Sequence, residues 1–368
     1  MWVALFALLY APGPLLLLLV GLRAVGQGIR QRRYNAEFWA GVAATVAALT
    51  GRHWIRLLRP ISHDEPKPLT PTRRGTAIGK GGVRLEWEQF GPDDAPALLL
   101  SHGWSLTHDT WYYQKRALAG EFRVIVWDMR GMGRSGEPPD GDYSMGSVAD
   151  DLAVIFDVTD AGRHPQGCIL AGHSVGAMIL PLFATRHPDQ MRVVRGLALL
   201  GGTDTPLLTS MWGREWLVPL RPYFFQPVAQ LLSKYPKVFA PAARLLWQLG
   251  AVHLALMYGL HVGHESRGMD DLAAYRCGHV NIRAAGRGAL SCFDFDARNA
   301  MMAITVPTLL LTGAADINMP PDIQHAMASR LRDPELVLIP DCGHLNLLEC
   351  HDEVNAQLRR FAQRCLTK

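Results

Sequence analysis

A serine between two glycines, Gly172-His173-Ser174-Val175-Gly176, follows a short apolar run, Cys168-Ile169-Leu170-Ala171, and precedes a segment of helical character over 177–186. Strand, tight turn and helix in that order form a nucleophile elbow. The shape has a steric cause. The hydroxyl must project clear of the sheet from a strained turn, and glycines two positions to either side leave room for the crowded backbone. The helix starting behind Ser174 also aims unpaired N–H groups and a positive dipole end at negative charge forming nearby. Glycine and serine are common, so the flanking strand and helix give this match its weight.

The surrounding chain alternates strand and helix. Residues 83–90 alternate apolar with polar, the period-2 mark of a half-exposed strand. Residues 97–100 are a continuous apolar run, as a buried parallel strand requires, and 123–127 and 193–200 are expected as further buried strands. Helical segments are expected over 109–119 and 147–157. After an interruption the alternation resumes, with strands at 308–312 and 335–339 and helices at 321–331 and 352–365. This order predicts an α/β fold with a mostly parallel sheet flanked by helices. The interruption, 203–296, is rich in Trp, Tyr, Phe, Leu and Pro and helical in character; it is expected as a cap inserted after the sixth strand, over the edge of the sheet where ligands bind. Its aromatics suit either a lipophilic substrate or the cap's own core.

Residues 1–22 are almost uninterruptedly apolar. As a helix, about 22 residues span roughly 33 Å, enough for a bilayer core. No basic residue precedes the run and the small-residue pattern near Ala24 and Gly26 is poor, which argues against a cleaved signal. A second apolar stretch, 38–49, is short, and Arg52, Trp54, Arg56 and Arg59 after it suggest an interfacial segment. Residues 1–60 are therefore expected at a membrane, as its lipid partner. Arg23, Arg30, Arg32 and Arg33 place the side after the first span, and with it the catalytic domain, in the cytoplasm; a second crossing by 38–49 would reverse this. Prolines and charges over 61–80 predict an extended linker, leaving 81–202 and 297–368 as the catalytic core. A net charge of +4 with scattered arginines gives no footprint for nucleic acid. Six cysteines without C-x-x-C spacing read as buried or inert thiols, and no zinc site is expected.

A serine near its free pKa is a poor nucleophile; it needs a base within reach and a carboxylate to orient that base. Asp316 follows one strand through Gly313-Ala314-Ala315, and His344 follows the last through Pro340-Asp341-Cys342-Gly343, giving the chain order Ser, Asp, His. The catalytic residues expected are Ser174, Asp316 and His344. Asp341 lies too close in sequence to His344 and is expected to shape a turn, and Asp322 to open a helix. The oxyanion formed in acyl transfer needs donors, and the backbone N–H groups of Val175 and Trp104 are the candidates. The Trp104 side chain and His173 are expected against the substrate, and His102 to hold its loop in shape.

His102-Gly103-Trp104, the Asp128-x-Arg130-Gly131-x-Gly133-x-Ser135 block, the elbow, Asp316 after a strand and Gly343-His344 together resemble the α/β-hydrolase superfamily, in particular its esterases, lipases, perhydrolases and epoxide hydrolases. The likeness runs from about residue 82 to the C-terminus, the cap excepted. It implies no cofactor and no metal. Epoxide and haloalkane hydrolases of this family carry an aspartate at the elbow, so Ser174 points instead to an acyl-enzyme and a carboxylic ester, with a lipophilic acyl ester as the expected small-molecule substrate. A thioesterase or a C–C hydrolase would use the same three residues, and a perhydrolase side activity fits His102-Gly103-Trp104. A non-catalytic binding or scaffold protein on the same fold is the alternative of another class.

Overall fold

The computed structural model describes residues 10–260 and 263–367. Residues 66–236, 260–264 and 280–368 form one compact unit, and residues 1–65, 237–259 and 265–279 form another.

The first unit is built on an eight-stranded sheet: β1 (Arg73–Ile78), β2 (Arg84–Phe90), β3 (Ala97–Ser101), β4 (Arg123–Trp127), β5 (Cys168–His173), β6 (Val194–Leu200), β7 (Thr308–Gly313) and β8 (Pro334–Ile339). Their spatial order is β1-β2-β4-β3-β5-β6-β7-β8. β2 runs antiparallel to both β1 and β4, and every pairing from β4 to β8 is parallel. Strands β3, β4, β5 and β7 are buried throughout, which is why their sequences are continuous apolar runs. The Met145–Val158 helix turns Val148, Leu152, Ile155 and Phe156 into the core, and Ser144 caps it by accepting the Ser147 N–H. Strand β1 lies inside the stretch expected as an extended linker. Only Ala77 of its six residues is buried, so this edge strand carries no periodic apolar signal.

The second unit begins with two helices, Pro12–Gln31 and Ala36–Leu49, the latter capped by the Asn35 side chain accepting the Phe38 N–H at 3.1 Å. Of the apolar stretch expected over 1–22, residues 1–9 lie outside the described residues. The Pro12–Gln31 helix runs past that stretch through Arg23 and Arg30 and is long and apolar enough to cross a membrane. The two helices close on one another at small residues: a Cβ on Gly21 would meet Gly41 O at 2.8 Å, and one on Gly41 would meet Ala24 Cβ at 2.6 Å.

The same unit takes in part of the expected cap. Gln248 Nε2 donates to Leu49 O at 2.8 Å, and the Arg52 guanidinium lies 4.0 Å from the Trp247 ring centre. Arg56 pairs with Asp271 and Arg59 with Glu265, each at 2.8 Å. Glu65 Oε2 accepts the Ser266 hydroxyl and the Gly268 N–H. Two of the arginines expected at lipid headgroups are therefore held by protein carboxylates some two hundred residues away, and Arg59 is buried. Trp54, Leu57 and Leu58 on the same segment remain exposed.

Candidate active site

Ser174 takes φ 53° and ψ −117°, between the end of β5 and the Val175–Arg186 helix. No Cβ fits at the flanking glycines. On Gly172 it would overlap the Gly176 carbonyl, and on Gly176 it would overlap the Ser101 carbonyl at the end of β3. The elbow is pinned by the Ser174 N–H, which donates to Leu200 O of β6 at 2.8 Å. β5 lies between β3 and β6, so the hydroxyl emerges at the carboxyl end of the sheet's centre.

His344 Nε2 lies 3.1 Å from Ser174 Oγ, and His344 Nδ1 lies 2.7 Å from Asp316 Oδ2. The Nδ1–H donates to the carboxylate, which leaves Nε2 free to accept from the serine hydroxyl. Burial pushes the Asp316 carboxyl up, but the facing His344 and the N–H groups of Met319 and Asn318 hold it below the usual carboxylate range. Those two N–H groups reach Oδ1 at 2.9 and 2.8 Å, and the Thr312 hydroxyl reaches Oδ2 at 3.2 Å. Asp316 is thus an anion with both oxygens occupied, able to steady a positive imidazole. Asp341 sits in the turn before His344 at φ 48°, and Asp322, in the first turn of the Pro321–Ala328 helix, pairs with Arg214 at 2.9 Å.

His173 departs from expectation. Its ring is fully buried, and its Nε2–H donates to the His344 carbonyl at 2.9 Å, so it cannot line the substrate pocket. Residues of β5 point alternately to the two faces of a sheet buried on both, and His173 turns inward beside the backbone of His344. Burial pushes its pKa down to about 3, which keeps it neutral.

The loop after β3 carries the other expected donor. His102, also wholly buried, spans two backbone groups: Nδ1–H donates to Gly103 O at 2.7 Å, and Nε2 accepts the Met129 N–H at 3.0 Å. In a trans peptide the C=O and N–H point in opposite directions, so a Gly103 carbonyl held towards His102 turns the Trp104 N–H away from it. Gly103 itself is close to Ser174, since a Cβ there would lie 3.2 Å from Ser174 Cβ. Val175 is the first residue of its helix and its N–H precedes the hydrogen-bond ladder. Among the described residues neither the Trp104 nor the Val175 N–H donates to a backbone carbonyl. The half-buried Trp104 indole packs edge-on to Tyr143 at 6.4 Å and fills the space where a Cβ on Gly288 would be.

Beneath this loop lies a charged cluster that the motifs did not reveal. Asp128 Oδ1 accepts both the N–H and the Nδ1–H of His108 at 2.9 Å, and Oδ2 accepts the Arg134 N–H at 2.9 Å. His108 Nε2 is 3.2 Å from Glu88, which also pairs with Arg134. Burial disfavours a charged His108, but Asp128 and Glu88 outweigh it and push its pKa up to about 9; burial would likewise raise Glu88, which His108 and Arg134 bring down to about 2. Arg130, from the same block, pairs with Asp151 at 2.6 Å with both side chains buried. No group of three or more His, Cys, Asp or Glu is placed to hold a metal among the described residues.

Residues 96–349 match the family described as alpha/beta hydrolase fold. The pimeloyl-[acyl-carrier protein] methyl ester esterase of Nitrosospira multiformis is 26% identical over 294 residues, 77% of this chain and 100% of that protein. The structure of a thermophilic esterase from Thermogutta terrifontis superposes with a TM-score of 0.62 at 24% identity, covering 80% of this chain and 99% of that one. A membrane phospholipase A described as a bacterial virulence factor superposes at 0.61 with 24% identity, covering 94% of this chain and 97% of that one. An acute elbow on a mostly parallel sheet, the family match over most of the chain and its esterase relatives lead to one conclusion: this protein is a hydrolase of the esterase kind and belongs to the α/β-hydrolase family.

Proposed function

We propose that the protein cleaves lipophilic carboxylic esters through Ser174, with His344 as general base and Asp316 orienting it. The observation that carries this reading is the unbroken line Ser174 Oγ, His344 Nε2, His344 Nδ1, Asp316 Oδ2, at 3.1 and 2.7 Å. His344 takes the serine proton as Oγ attacks the ester carbonyl, and the charge passes to an oxyanion facing the Val175 and Trp104 amides. Collapse expels the alcohol, which receives the proton from His344. Water then repeats the sequence on the acyl-enzyme and releases the acid.

The lipophilic substrate is supported from two sides. Leu16, Leu19 and Val20 of the Pro12–Gln31 helix are exposed, as a helix set in lipid requires, and this helix is the proposed anchor. The likeness to the membrane phospholipase A covers 94% of the chain, against 80% for the thermophilic esterase. A fluorophosphonate probe should label the full chain at Ser174, and Ser174→Ala should abolish labelling and lower turnover by up to roughly 10⁶. Wild-type labelling at another residue, or near-normal turnover by the variant, would sink the assignment. Esters with acyl chains of about eight carbons or more should be preferred to acetyl esters, because each buried methylene contributes about 0.8 kcal/mol; faster cleavage of acetyl esters would refute the lipophilic substrate alone.

A further inference from the structure

We propose that the aromatic face of residues 212–231 is a lipid-docking surface of the catalytic unit, separate from the N-terminal helix. The proposal rests on the reading of the enzyme as a hydrolase of lipophilic esters and adds the surface through which such a substrate is met.

This segment leaves the sheet next to the site. Met211 is buried, and the Trp212 N–H donates at 2.8 Å to the carbonyl of Ile317, the residue after Asp316. The chain then forms a continuous helical run: Arg214–Leu220, a π turn over Arg221–Phe225, and Gln226–Lys234. Pro219, Pro222 and Pro227 remove donors along it, and the π turn accommodates them. Phe225 and Ala229 are buried and fix one side.

The other side is apolar and faces water. Trp212, Trp216 and Tyr223 are 74%, 77% and 84% exposed, and no residue of Arg214–Leu220 is buried. Trp216, Leu220 and Phe224 recur every fourth residue of the run and are exposed, so they form one stripe along it, and Trp212 is exposed in the turn just before it. These aromatics are therefore not the core of the cap. A contiguous exposed apolar stripe of this kind marks a contact surface. Its chemistry selects the partner. Tryptophan and tyrosine are the residues that settle at the boundary of headgroups and acyl chains. Arg214 and Arg221 on this run are paired with Asp322 and Asp294, so the aromatic side chains, with the exposed Lys234 beside them, set the chemistry of the surface. A chain anchored by its own apolar helix meets lipid at high local concentration.

The test uses the full chain as Ser174→Ala, in vesicles of phosphatidylglycerol and phosphatidylcholine containing a phosphatidylcholine with a diazirine on its acyl chain. Photolysis followed by peptide mapping should place adducts on the peptide spanning Trp212 to Phe224 as well as on the N-terminal helix. The triple variant Trp212→Ser, Trp216→Ser and Tyr223→Ser should lose the former adducts and keep the latter. With Ser174 restored, the triple variant should cleave a long-chain ester carried in vesicles at least about tenfold more slowly, an effect equivalent to about 1.4 kcal/mol of lost lipid contact, and should cleave a water-soluble acetyl ester at the wild-type rate. Adducts confined to the N-terminal helix, or equal loss on both esters, would overturn the proposal, as would protection of Trp212 and Trp216 by a second copy of the chain in lipid-free detergent. Adduct mapping does not depend on turnover, whereas failure of the hydrolase reading would appear as wild-type inactivity on both esters.

Discussion

Ser174 sits in a backbone conformation that costs on the order of 1–3 kcal/mol, and the Ser174 N–H bond to Leu200 O together with the packed Gly172–Gly176 contact keeps it there. The neighbouring histidines divide a supporting task. His173 holds the backbone of His344, and His102 holds the peptide that turns the Trp104 N–H. Because His102 orients the proposed oxyanion donor, the Trp104 N–H, His102→Ala should lower kcat by about 10²–10³ with little change in KM. His102→Asn, whose side-chain amide can still donate to Gly103 O, should recover part of the loss. Equal changes in kcat and KM, or no rescue by asparagine, would mean that His102 serves the fold alone.

His108 gives a prediction of a different sign. Its pKa rises from 6.5 to about 9 on folding, because it donates to Asp128 and Glu88. A raised pKa favours the folded state fully below pH 6.5 and loses that contribution as pH climbs through about 9. The contribution is about 3 kcal/mol at most, since the depressed Glu88 reflects the same contacts and must not be counted again. Thermal melts from pH 6 to 10 should therefore show wild type losing more stability at the alkaline end than His108→Gln, with Asp109 and Arg134 as the other charges facing the site. Parallel profiles would show that His108 is not charged in the folded protein.

At the scale of elements, what could be read in the chain depended on how each element is buried. Strands β3, β4, β5 and β7 announce themselves because burial on both faces forces continuous apolar runs. Asp316 lies just past the buried β7 and His344 just past β8, only one of whose residues is buried, each legible behind a glycine-bearing turn, and the structure brings both side chains into line with Ser174. β1 was not legible, since an edge strand with one buried residue looks like a charged linker. The His108 cluster was hidden for another reason. It joins Glu88 on β2 to a turn after β3 and to Asp128 after β4, a meeting fixed by the antiparallel register of β2 against β4 rather than by any local pattern. His173 was misread because its place beside the nucleophile in sequence suggested the pocket, while strand alternation turns it inward.

At the scale of the molecule, the N-terminal segment does more than carry the proposed anchor helix. Read along the chain, residues 1–60 resemble an appendage and 203–296 a single cap, but contacts group residues 1–65 with 237–259 and 265–279. Composition cannot reveal this, because the pairing carboxylates Glu265 and Asp271 lie some two hundred residues beyond Arg59 and Arg56. The Arg59–Glu265 pair is buried on both sides, and losing one partner of such a pair costs about 3–5 kcal/mol. A chain truncated to start at Arg74 loses Arg56, Arg59 and Glu65 together, leaving Glu265 without its guanidinium and the Ser266–Gly268 turn without the Glu65 carboxylate. We expect limited proteolysis of the truncated chain to cut first within 237–279, while the full chain in detergent resists there. The point variant Arg59→Ala should show the same new cleavage with the Pro12–Gln31 helix intact, which separates loss of the pair from loss of that helix. If the truncated chain resists protease over 237–279 as well as the full chain does, the N-terminal segment is a tether and the ion pairs are incidental to the fold.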